Sequence, residues 1–550
     1  MSTPPFAPFA PTRSDRAALL FVQLGAVAVV LAALPYKTFD LDRYFVPKEL
    51  ALHLCAAGGA ICILLSRSRL TLARIDWLLL GFLVASALSA AFADNQWLST
   101  RALTVSVSGV TIFWVVRALR RRGFARAVLW AVAIAGAVGA GTALMQAYGV
   151  TSDYFSLNRA PGGTFGNRNF MAHIGAIVAP TILYLVLTTR RSAAVVLAST
   201  LLGVVAAAEV LSRSRAAWLA LLAAGVPVAV VAWLTRGRWG GTTRDTDQRL
   251  GIVTITAGIG TIAALVLPNT LEWRSDSPYL ESVRGMVNYQ QGSGHGRLVQ
   301  YTNSLRMMTS NPLLGVGPGN WAVEYPRYAS HNDPSLSTTD DGMTSNPWPS
   351  SDWVAFGAER GVPATALLVL SFVAFLMLAA WNMRVSRGAE SILGAFALGA
   401  TVVVTLVVGA FDAVLLLAAP TLIVWALLGA LAEATSAAPA RAATTVGARQ
   451  WSPAIALAFG VLAAGRSALQ IGAMGTVDSS SRTAALERAS LFDPGNYRVH
   501  LRLGEAYLNS GRCDRARREG HDARDLFPMA EAPRQLLAAC GESSPRPRRR

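Results

Sequence analysis

Long apolar runs, separated by short polar segments, recur along most of this chain. A helix needs about 20 predominantly apolar residues to cross the hydrocarbon core of a bilayer. The pattern therefore predicts an all-α protein, a polytopic transmembrane helical bundle of about 12–13 spans. The thirteen predicted spans are 17–35, 49–66, 76–93, 103–118, 126–148, 169–188, 192–211, 216–235, 250–268, 362–381, 390–410, 413–433 and 451–473.

Two stretches interrupt this alternation. Residues 269–350 form a polar segment far longer than an ordinary connection, and a connection of that length usually carries function. Residues 477–541 are polar and helical in pattern, with no further span. The sequence therefore divides into N-terminal spans, a core that includes the long segment, a last span with its linker, a helical C-terminal unit and a disordered basic tail, at 1–148, 149–435, 436–476, 477–541 and 542–550.

Composition and charge support a membrane protein. Of the 550 residues, 53% are hydrophobic and only 15% are charged, and the mean hydropathy is +0.40. A net charge of +17 would suggest nucleic-acid binding in a soluble protein. Here the arginines concentrate in alternate short loops, so membrane orientation accounts for them and no nucleic-acid partner is expected. Lys37, Arg43 and Lys48 are exceptions, because they follow the first span on the opposite side.

The positive-inside rule makes the arginine-rich loops cytoplasmic. Residues 269–350 and the C-terminal unit then lie on the extracytoplasmic face. The basic tail at 545–550 is expected to contact anionic membrane lipids. No Cys/His grouping has metal-ligand spacing, so the sequence predicts neither a metal nor another cofactor.

The C-terminal unit carries a repeat. Leu491-Phe492-Asp493-Pro494 recurs as Leu526-Phe527-Pro528, with the prolines 34 residues apart, which is the tetratricopeptide period. Leu503-Gly504-Glu505-Ala506-Tyr507 resembles an element of that repeat. We expect this unit to pack on the membrane domain or to bind a protein partner. Cys513 and Cys540 lie on neighbouring predicted helices outside the cytoplasm, so a disulfide between them is predicted.

Several arginines occupy the side of the membrane where the orientation signal does not require them. Arg159 and Arg168 follow the fifth span, Arg213 and Arg215 follow the seventh, and Arg297 lies in the long segment. Such arginines either snorkel to the membrane interface or form an anion site. Arg297 begins a predicted helix whose Leu298, Tyr301, Leu305 and Met308 share one apolar face.

Arg297 and its helix are followed by Asn311-Pro312-Leu313-Leu314-Gly315-Val316-Gly317-Pro318-Gly319-Asn320, and then by Ala358-Glu359-Arg360-Gly361. This order of elements resembles the O-antigen ligase and polymerase family of bacterial surface-glycan enzymes. Gly163-Thr164-Phe165-Gly166-Asn167-Arg168-Asn169 and Ser214-Arg215-Ala216 resemble further family elements, so the resemblance covers roughly residues 150 to 430. It implies transfer of a glycan from an undecaprenyl pyrophosphate carrier to an acceptor hydroxyl on a lipid, a glycan or a protein. The reaction would occur at the extracytoplasmic face of the bacterial inner membrane.

The resemblance also suggests roles for single residues. Arg215 and Arg297 are the leading pyrophosphate ligands, and Arg159, Arg168, Arg213 and Glu359 are expected to bind substrate. The family's histidine is absent, since Ser350 and Ser351 occupy the matching positions. Asp352 is the nearest candidate for the catalytic base, and its alternative role is that of an acid at a helix start. His295 and His331 are expected to be solvated.

Two other classes of function stay open. A transporter or flippase predicts charged residues inside the spans and two matching halves. The predicted spans hold few ionisable residues, with Glu209 and Asp412 near their ends, and no duplication is visible. A scaffold that works through its C-terminal repeat predicts that the loop arginines are dispensable. Within the transferase interpretation, the missing histidine favours a polymerase or a divergent transferase over a ligase.

Overall fold

The computed structural model describes residues 11–39, 41–66, 73–156, 159–239, 243–273, 277–285, 292–386, 388–432, 448–480 and 482–542. The basic tail beyond residue 542 lies outside this range. The described residues form helices and no strand; Leu336 and Thr344 make one isolated β-bridge. The predicted all-α, polytopic class is thereby confirmed.

The membrane part contains helices α1 to α9 and α13 to α16. Their bounds are α1 Arg13–Leu31, α2 Asp42–Leu65, α3 Arg74–Ala91, α4 Gln96–Arg121, α5 Ala125–Ala147, α6 Arg168–Thr188, α7 Ser192–Ser212, α8 Arg215–Trp239, α9 Thr243–Val266, α13 Asp352–Val385, α14 Ala389–Phe411, α15 Ala418–Leu431 and α16 Ala448–Ser479. The long segment between α9 and α13 contains α10 Pro278–Arg284, α11 Gly292–Ser310 and α12 Trp321–Glu324. The C-terminal unit contains α17 Thr483–Phe492, α18 Tyr497–Asn509, α19 Cys513–Leu526 and α20 Ala532–Ala539.

Twelve of these helices are long and apolar enough to cross a membrane by length and composition. Each of the thirteen predicted spans coincides with a helix, but the span predicted at 413–433 is shorter than expected. Helix α15 has 14 residues and is wholly buried. At 1.5 Å per residue it is about 21 Å long, which is less than the bilayer core. Residues 412–417 form an irregular turn instead of another helical turn.

The three basic residues that break the positive-inside pattern have structural partners. The Lys48 ammonium donates to the carbonyl of Ala32 at 2.7 Å, at the end of α1. Arg43 donates to the carbonyls of Asp153 at 3.1 Å and Phe155 at 3.2 Å. Lys37 forms an ion pair with Asp153 at 2.8 Å. Lys37 and Arg43 therefore tie the α1–α2 connection and the start of α2 to the segment before α6, whereas Lys48 ties α2 to the end of α1.

Contacts gather several connections at one end of the bundle, here called the loop end. Among the described residues it comprises 149–156, 159–167, 213–214, 267–273, 277–285, 292–351 and 412–417, together with the α3–α4 turn. The amide of Thr270 donates to the carbonyl of Ala147 at 2.9 Å. The Tyr301 hydroxyl donates to the carbonyl of Ala410 at 3.1 Å, and the amide of Asn95 donates to Asn320 Oδ1 at 2.8 Å.

The C-terminal helices pack on the loop end. The Trp97 indole donates to Asp493 at 3.0 Å, and Asn95 donates to the carbonyl of Leu526 at 3.1 Å. The amide of Glu531 donates to the carbonyl of Asp341 in the long segment at 2.9 Å. The predicted pairing of Cys513 with Cys540 is confirmed, with the two Cα atoms 5.4 Å apart. Cys55 and Cys62 are free and lie in α2.

Candidate functional site

Four of the predicted arginines form one cluster at the loop end, here called the arginine cluster. It consists of Arg159, Arg168, Arg213 and Arg215, at the starts of α6 and α8 and in the connections that precede them. The positive charges of the other three each repel that of Arg168, so each of them lies within electrostatic reach of the Arg168 guanidinium. Several positive charges close together favour the binding of an anion.

Local backbone structure positions the cluster. The amide of Arg168 donates to the carbonyl of Arg159 at 3.2 Å, so the two arginines stay close although eight residues separate them. Asn167 begins α6 by accepting a hydrogen bond from the amide of Asn169 at 2.9 Å. Arg213 has a left-handed backbone with φ of 52°, which ends α7 and lets Arg215 begin α8 two residues later.

The four arginines of the cluster differ in how many contacts their side chains make with the rest of the protein. Among the described residues, the side chains of Arg159 and Arg168 have no hydrogen-bond partner; the Arg168 guanidinium lies 6.0 Å from the Trp273 ring centre. Arg213 lies 4.7 Å over the same ring and donates to the Ser282 hydroxyl at 2.9 Å. Burial lowers the pKa of Arg213, and Arg215 adds to that effect. Arg215 donates to the carbonyl of Gly285.

Arg297 lies on α11, beside a second group of polar residues. Its side chain makes no hydrogen bond or ion pair with any residue that the structure describes. Its charge acts on the His173 imidazole of α6, as does the carboxylate of Asp412. His173 Nε2 lies 3.9 Å from Asp412 Oδ2. Helix α6 therefore connects the arginine cluster at its start with His173 and Arg297 about a turn and a half further along.

Aromatic side chains from three parts of the chain surround this group. The ring centres of Phe45 and Trp348 are 5.1 Å apart, and those of Phe45 and Phe170 are 5.8 Å apart. The Phe170 ring lies 6.4 Å from the His173 ring. Ala413, next to Asp412, packs in the same cluster. Helix α2, helix α6, the long segment and the α14–α15 turn thus meet at one place.

Asp352, the predicted base, is fully buried at the first residue of α13. Its Oδ1 accepts the amide of Val414 at 3.0 Å, and its Oδ2 accepts the amide of Leu415 at 2.8 Å. Buried backbone amides outside a helix need such partners, and Val414 and Leu415 are both buried. Asp352 therefore holds the α14–α15 turn that carries Asp412, and its role as the base stays a prediction.

Glu359, which was expected to bind substrate, is also buried and accepts backbone hydrogen bonds. Its carboxylate accepts the amide of Gly319 at 2.8 Å and that of Trp321 at 3.3 Å. The amide of Gly317 donates to the backbone carbonyl of Glu359 at 2.7 Å. The glycine-rich element and the Ala358–Gly361 element are therefore one packed unit, in which Glu359 fixes the turn. Its contact with substrate stays a prediction.

The structure thus brings together Arg159, Arg168, Arg213 and Arg215, and it places Arg297 next to His173 and Asp412. Sequence reasoning missed Trp273, His173 and Asp412 as members of the site. Asp412 could have been predicted, because an acidic residue at the end of an apolar span is unusual and often functional. Trp273 and His173 had no local signal, because their importance depends on neighbours distant in the chain.

A metal-ligand grouping occurs elsewhere. Among the described residues, the candidate group is His500, Glu519 and Asp522 in the C-terminal unit. His500 Nδ1 lies 2.7 Å from Glu519 Oε2, and its Nε2 lies 3.0 Å from the carbonyl oxygen of Pro494. Both ring nitrogens therefore have acceptors as partners, which suits a protonated imidazole better than a metal ligand.

A family model matches part of the chain. Residues 176–369 match the family model described as O-Antigen ligase, which is roughly a third of the chain. The matched range includes Arg213, Arg215, Arg297, Asp352 and Glu359, and it begins after Arg159 and Arg168. No curated protein matches the chain. The family match supports a membrane function of the O-antigen ligase or polymerase type for this multi-pass protein.

Proposed function

We propose that this protein is a glycosyltransferase of the inner membrane of a bacterium. It moves a glycan from an undecaprenyl pyrophosphate carrier to an acceptor hydroxyl on the extracytoplasmic face. The observation that carries the proposal is the arginine cluster, in which Arg159 and Arg168 have no hydrogen-bond partner among the described residues. The family match at residues 176–369 supports the reaction class.

The chemistry of the donor explains why arginines are needed. When the glycan leaves, the pyrophosphate oxygen takes the electron pair of the broken bond, and negative charge develops there. The planar guanidinium group donates two parallel hydrogen bonds to phosphate oxygens and stays charged at every relevant pH. Fixed positive charges aimed at that oxygen stabilise the transition state, so no metal ion is required for this role.

The polyprenyl tail needs an apolar surface that opens to the bilayer. Helix α8 begins at Arg215, and the segment that follows α9 carries Trp273, whose ring packs against Arg213, so one end of each helix lies near the arginine cluster. Large apolar side chains on these two helices remain exposed, among them Leu222, Trp233, Ile255, Ile259 and Ile262. We propose that the tail lies along this surface while the pyrophosphate reaches the arginines.

The acceptor decides between a ligase and a polymerase, and deletion of the protein distinguishes them. In a polymerase deletion strain, the ladder of surface glycans collapses to single repeat units. In a ligase deletion strain, full-length chains stay on the lipid carrier. Unchanged lipid-linked and surface glycans would contradict the proposed function and favour a scaffold.

A further inference from the structure

We infer that Asp412 is the general base that activates the acceptor hydroxyl, and that His173 is a positioning residue behind it. This inference rests on the proposed function and deepens it. Asp412 directly follows α14 at the loop end, and its side chain is 14% exposed. Oδ1 accepts the amide of Ala413 at 2.9 Å, whereas Oδ2 accepts no hydrogen bond from a described residue. One carboxylate oxygen is therefore held and the other is available.

His173 is the residue that faces the available oxygen. It is 1% exposed, and neither ring nitrogen has a hydrogen-bond partner within the described part of the chain. A buried polar group without a partner destabilises a fold, so such groups call for an explanation. The 3.9 Å separation from Asp412 Oδ2 is too long for a hydrogen bond. Catalytic hydrogen bonds are often long without substrate and tighten in the loaded enzyme.

Two other charged groups, Asp352 and Arg297, act on Asp412 and His173. Of the two carboxylates, Asp412 is the one with an oxygen that accepts no hydrogen bond from a described residue. Asp352 of α13 lies within electrostatic reach of Asp412, but both of its oxygens hold the 412–417 turn. Arg297 of α11 lies near His173, where it can hold the leaving pyrophosphate. Phe45, Phe170 and Trp348 enclose the turn with apolar rings, against which the C–H faces of a sugar can pack.

The reaction step follows from this arrangement. The acceptor hydroxyl gives its proton to Asp412 Oδ2 as its oxygen attacks the anomeric carbon of the donor glycan. The bond between that carbon and the pyrophosphate oxygen breaks, and its electron pair leaves with the polyprenyl pyrophosphate. Arg297 and the arginine cluster hold the new charge. Asp412 then returns the proton to water, and no oxidant, reductant or metal takes part.

The test compares turnover with carrier binding in the purified full-length protein. Turnover uses lipid-linked glycan extracted from the same bacterium, and binding uses undecaprenyl pyrophosphate. Asp412→Asn should lower kcat by at least about 100-fold, the usual contribution of a general base, and leave the Kd for undecaprenyl pyrophosphate within about twofold. Asp412→Glu, which keeps the charge but moves the carboxylate, should lower kcat at least tenfold. His173→Gln should lower kcat about tenfold with the same Kd.

Asp153→Asn is the matched control, since it removes an exposed carboxylate at the same end and should leave kcat unchanged. A merely structural role for Asp412 would alter carrier binding and elution from a sizing column together with kcat. Should Asp412→Asn fail to fold, Asp412→Glu decides the question. Wild-type kcat in a folded Asp412 variant overturns the inference and leaves the proposed function intact. Absence of transfer by the wild-type protein overturns the proposed function itself.

Discussion

Replacement of Arg297 tests whether pyrophosphate binding needs only a positive charge or also the planar guanidinium geometry, with little disturbance of the fold. It has no hydrogen bond or ion pair to lose among the described residues. If it holds pyrophosphate through its planar fork, Arg297→Lys keeps the charge but loses the paired hydrogen bonds. A charge-assisted hydrogen bond contributes about 1.5–3 kcal/mol, so transfer from purified lipid-linked donor should fall at least about tenfold. The rate of transfer by the Arg215→Lys variant should fall by a similar factor.

Arg306→Lys is the control, because Arg306 is exposed on the same helix and, within the described part of the chain, its side chain donates only to Asn303. It should keep the wild-type rate at matched protein levels. Arg327 is less suitable, since it forms ion pairs with Glu324 and Asp94. Wild-type rates in both Arg297→Lys and Arg215→Lys would remove the pyrophosphate clamp and return the scaffold hypothesis to first place.

At the residue scale, the sequence predicted the arginines better than their surroundings. An arginine at the outer end of a span conflicts with a simple orientation rule, and this conflict is visible locally. The proximity of His173 to Asp412 is not visible in the local sequence, because it depends on how α6 packs against the α14–α15 turn. The same holds for Asp352 and Glu359, whose carboxylates appear chemically free in the sequence but accept backbone amides in the fold.

Gly361 connects the two elements on which the family resemblance depends. Its φ is 78°, and a Cβ atom there would lie 2.3 Å from the carbonyl oxygen of Leu313. Gly361→Ala therefore combines a strained backbone with a backbone clash, and strain of this kind costs about 1–3 kcal/mol. We expect a clearly lower melting temperature in detergent and loss of transfer activity.

The matched control is Gly225→Ala on α8. Nothing lies within 4 Å of a Cβ atom at that position, and its backbone is helical. Alanine is a better helix former than glycine, so this variant should be as stable as wild type or slightly more stable. Equal melting temperatures for the two alanine variants would mean that the packed unit of residues 312–321 and 358–362 does not need its backbone contacts.

The C-terminal unit should become less stable as the pH rises. Burial opposes protonation of His500, but hydrogen bonds to Glu519 and to the carbonyl of Pro494 outweigh it and raise the pKa of His500. A group with a raised folded-state pKa contributes its full stability below the unfolded pKa of about 6.5 and loses it as the pH passes the folded pKa. Hydrogen-exchange protection of Tyr497–Asn509, corrected for intrinsic rates, should fall as the pH rises above about 6.5. His500→Gln should flatten this dependence, and protection that increases with pH would contradict the assignment.

At the element scale, periodicity and length located nearly every helix, and tertiary packing decided the details. Helix α15 is short because the 412–417 turn finds backbone partners in Asp352, which no local pattern encodes. Helix α11 has the predicted apolar face, yet Leu298 and Leu305 are about half exposed. Its polar face packs inward instead, where Asn303 donates to Asp333 at 2.7 Å and Trp321 donates to Ser304 at 2.9 Å. Polar partners 17 to 30 residues away in the sequence thus outweigh the tendency of an apolar helix face to turn inward.

At the scale of the whole molecule, the loop end brings together the arginine cluster, Arg297, Asp412 and the C-terminal unit. Such a concentration at one end suits a reaction between a lipid-anchored donor and a polar acceptor, since the donor enters from the bilayer and the acceptor from water. Cys513 and Cys540 are paired at this end, and disulfides persist outside the reducing cytoplasm. The arginine-rich loops at the opposite end carry the positive-inside signal. Both observations favour an extracytoplasmic loop end.

This orientation is testable with reporters fused to the chain. A reporter that is active only outside the cytoplasm should be active when it follows Gly541, after the last helix that packs on the loop end. The same reporter placed after Arg190, in the α6–α7 connection, should be silent, because an even number of predicted spans precedes it. A reporter active only in the cytoplasm should give the reverse pattern at both positions. If the Gly541 fusion is active only with the cytoplasmic reporter, the loop end faces the cytoplasm. The carrier-linked glycan would then have to be bound on the cytoplasmic side. An extracytoplasmic acceptor could not reach it there, and this result would contradict the proposed reaction.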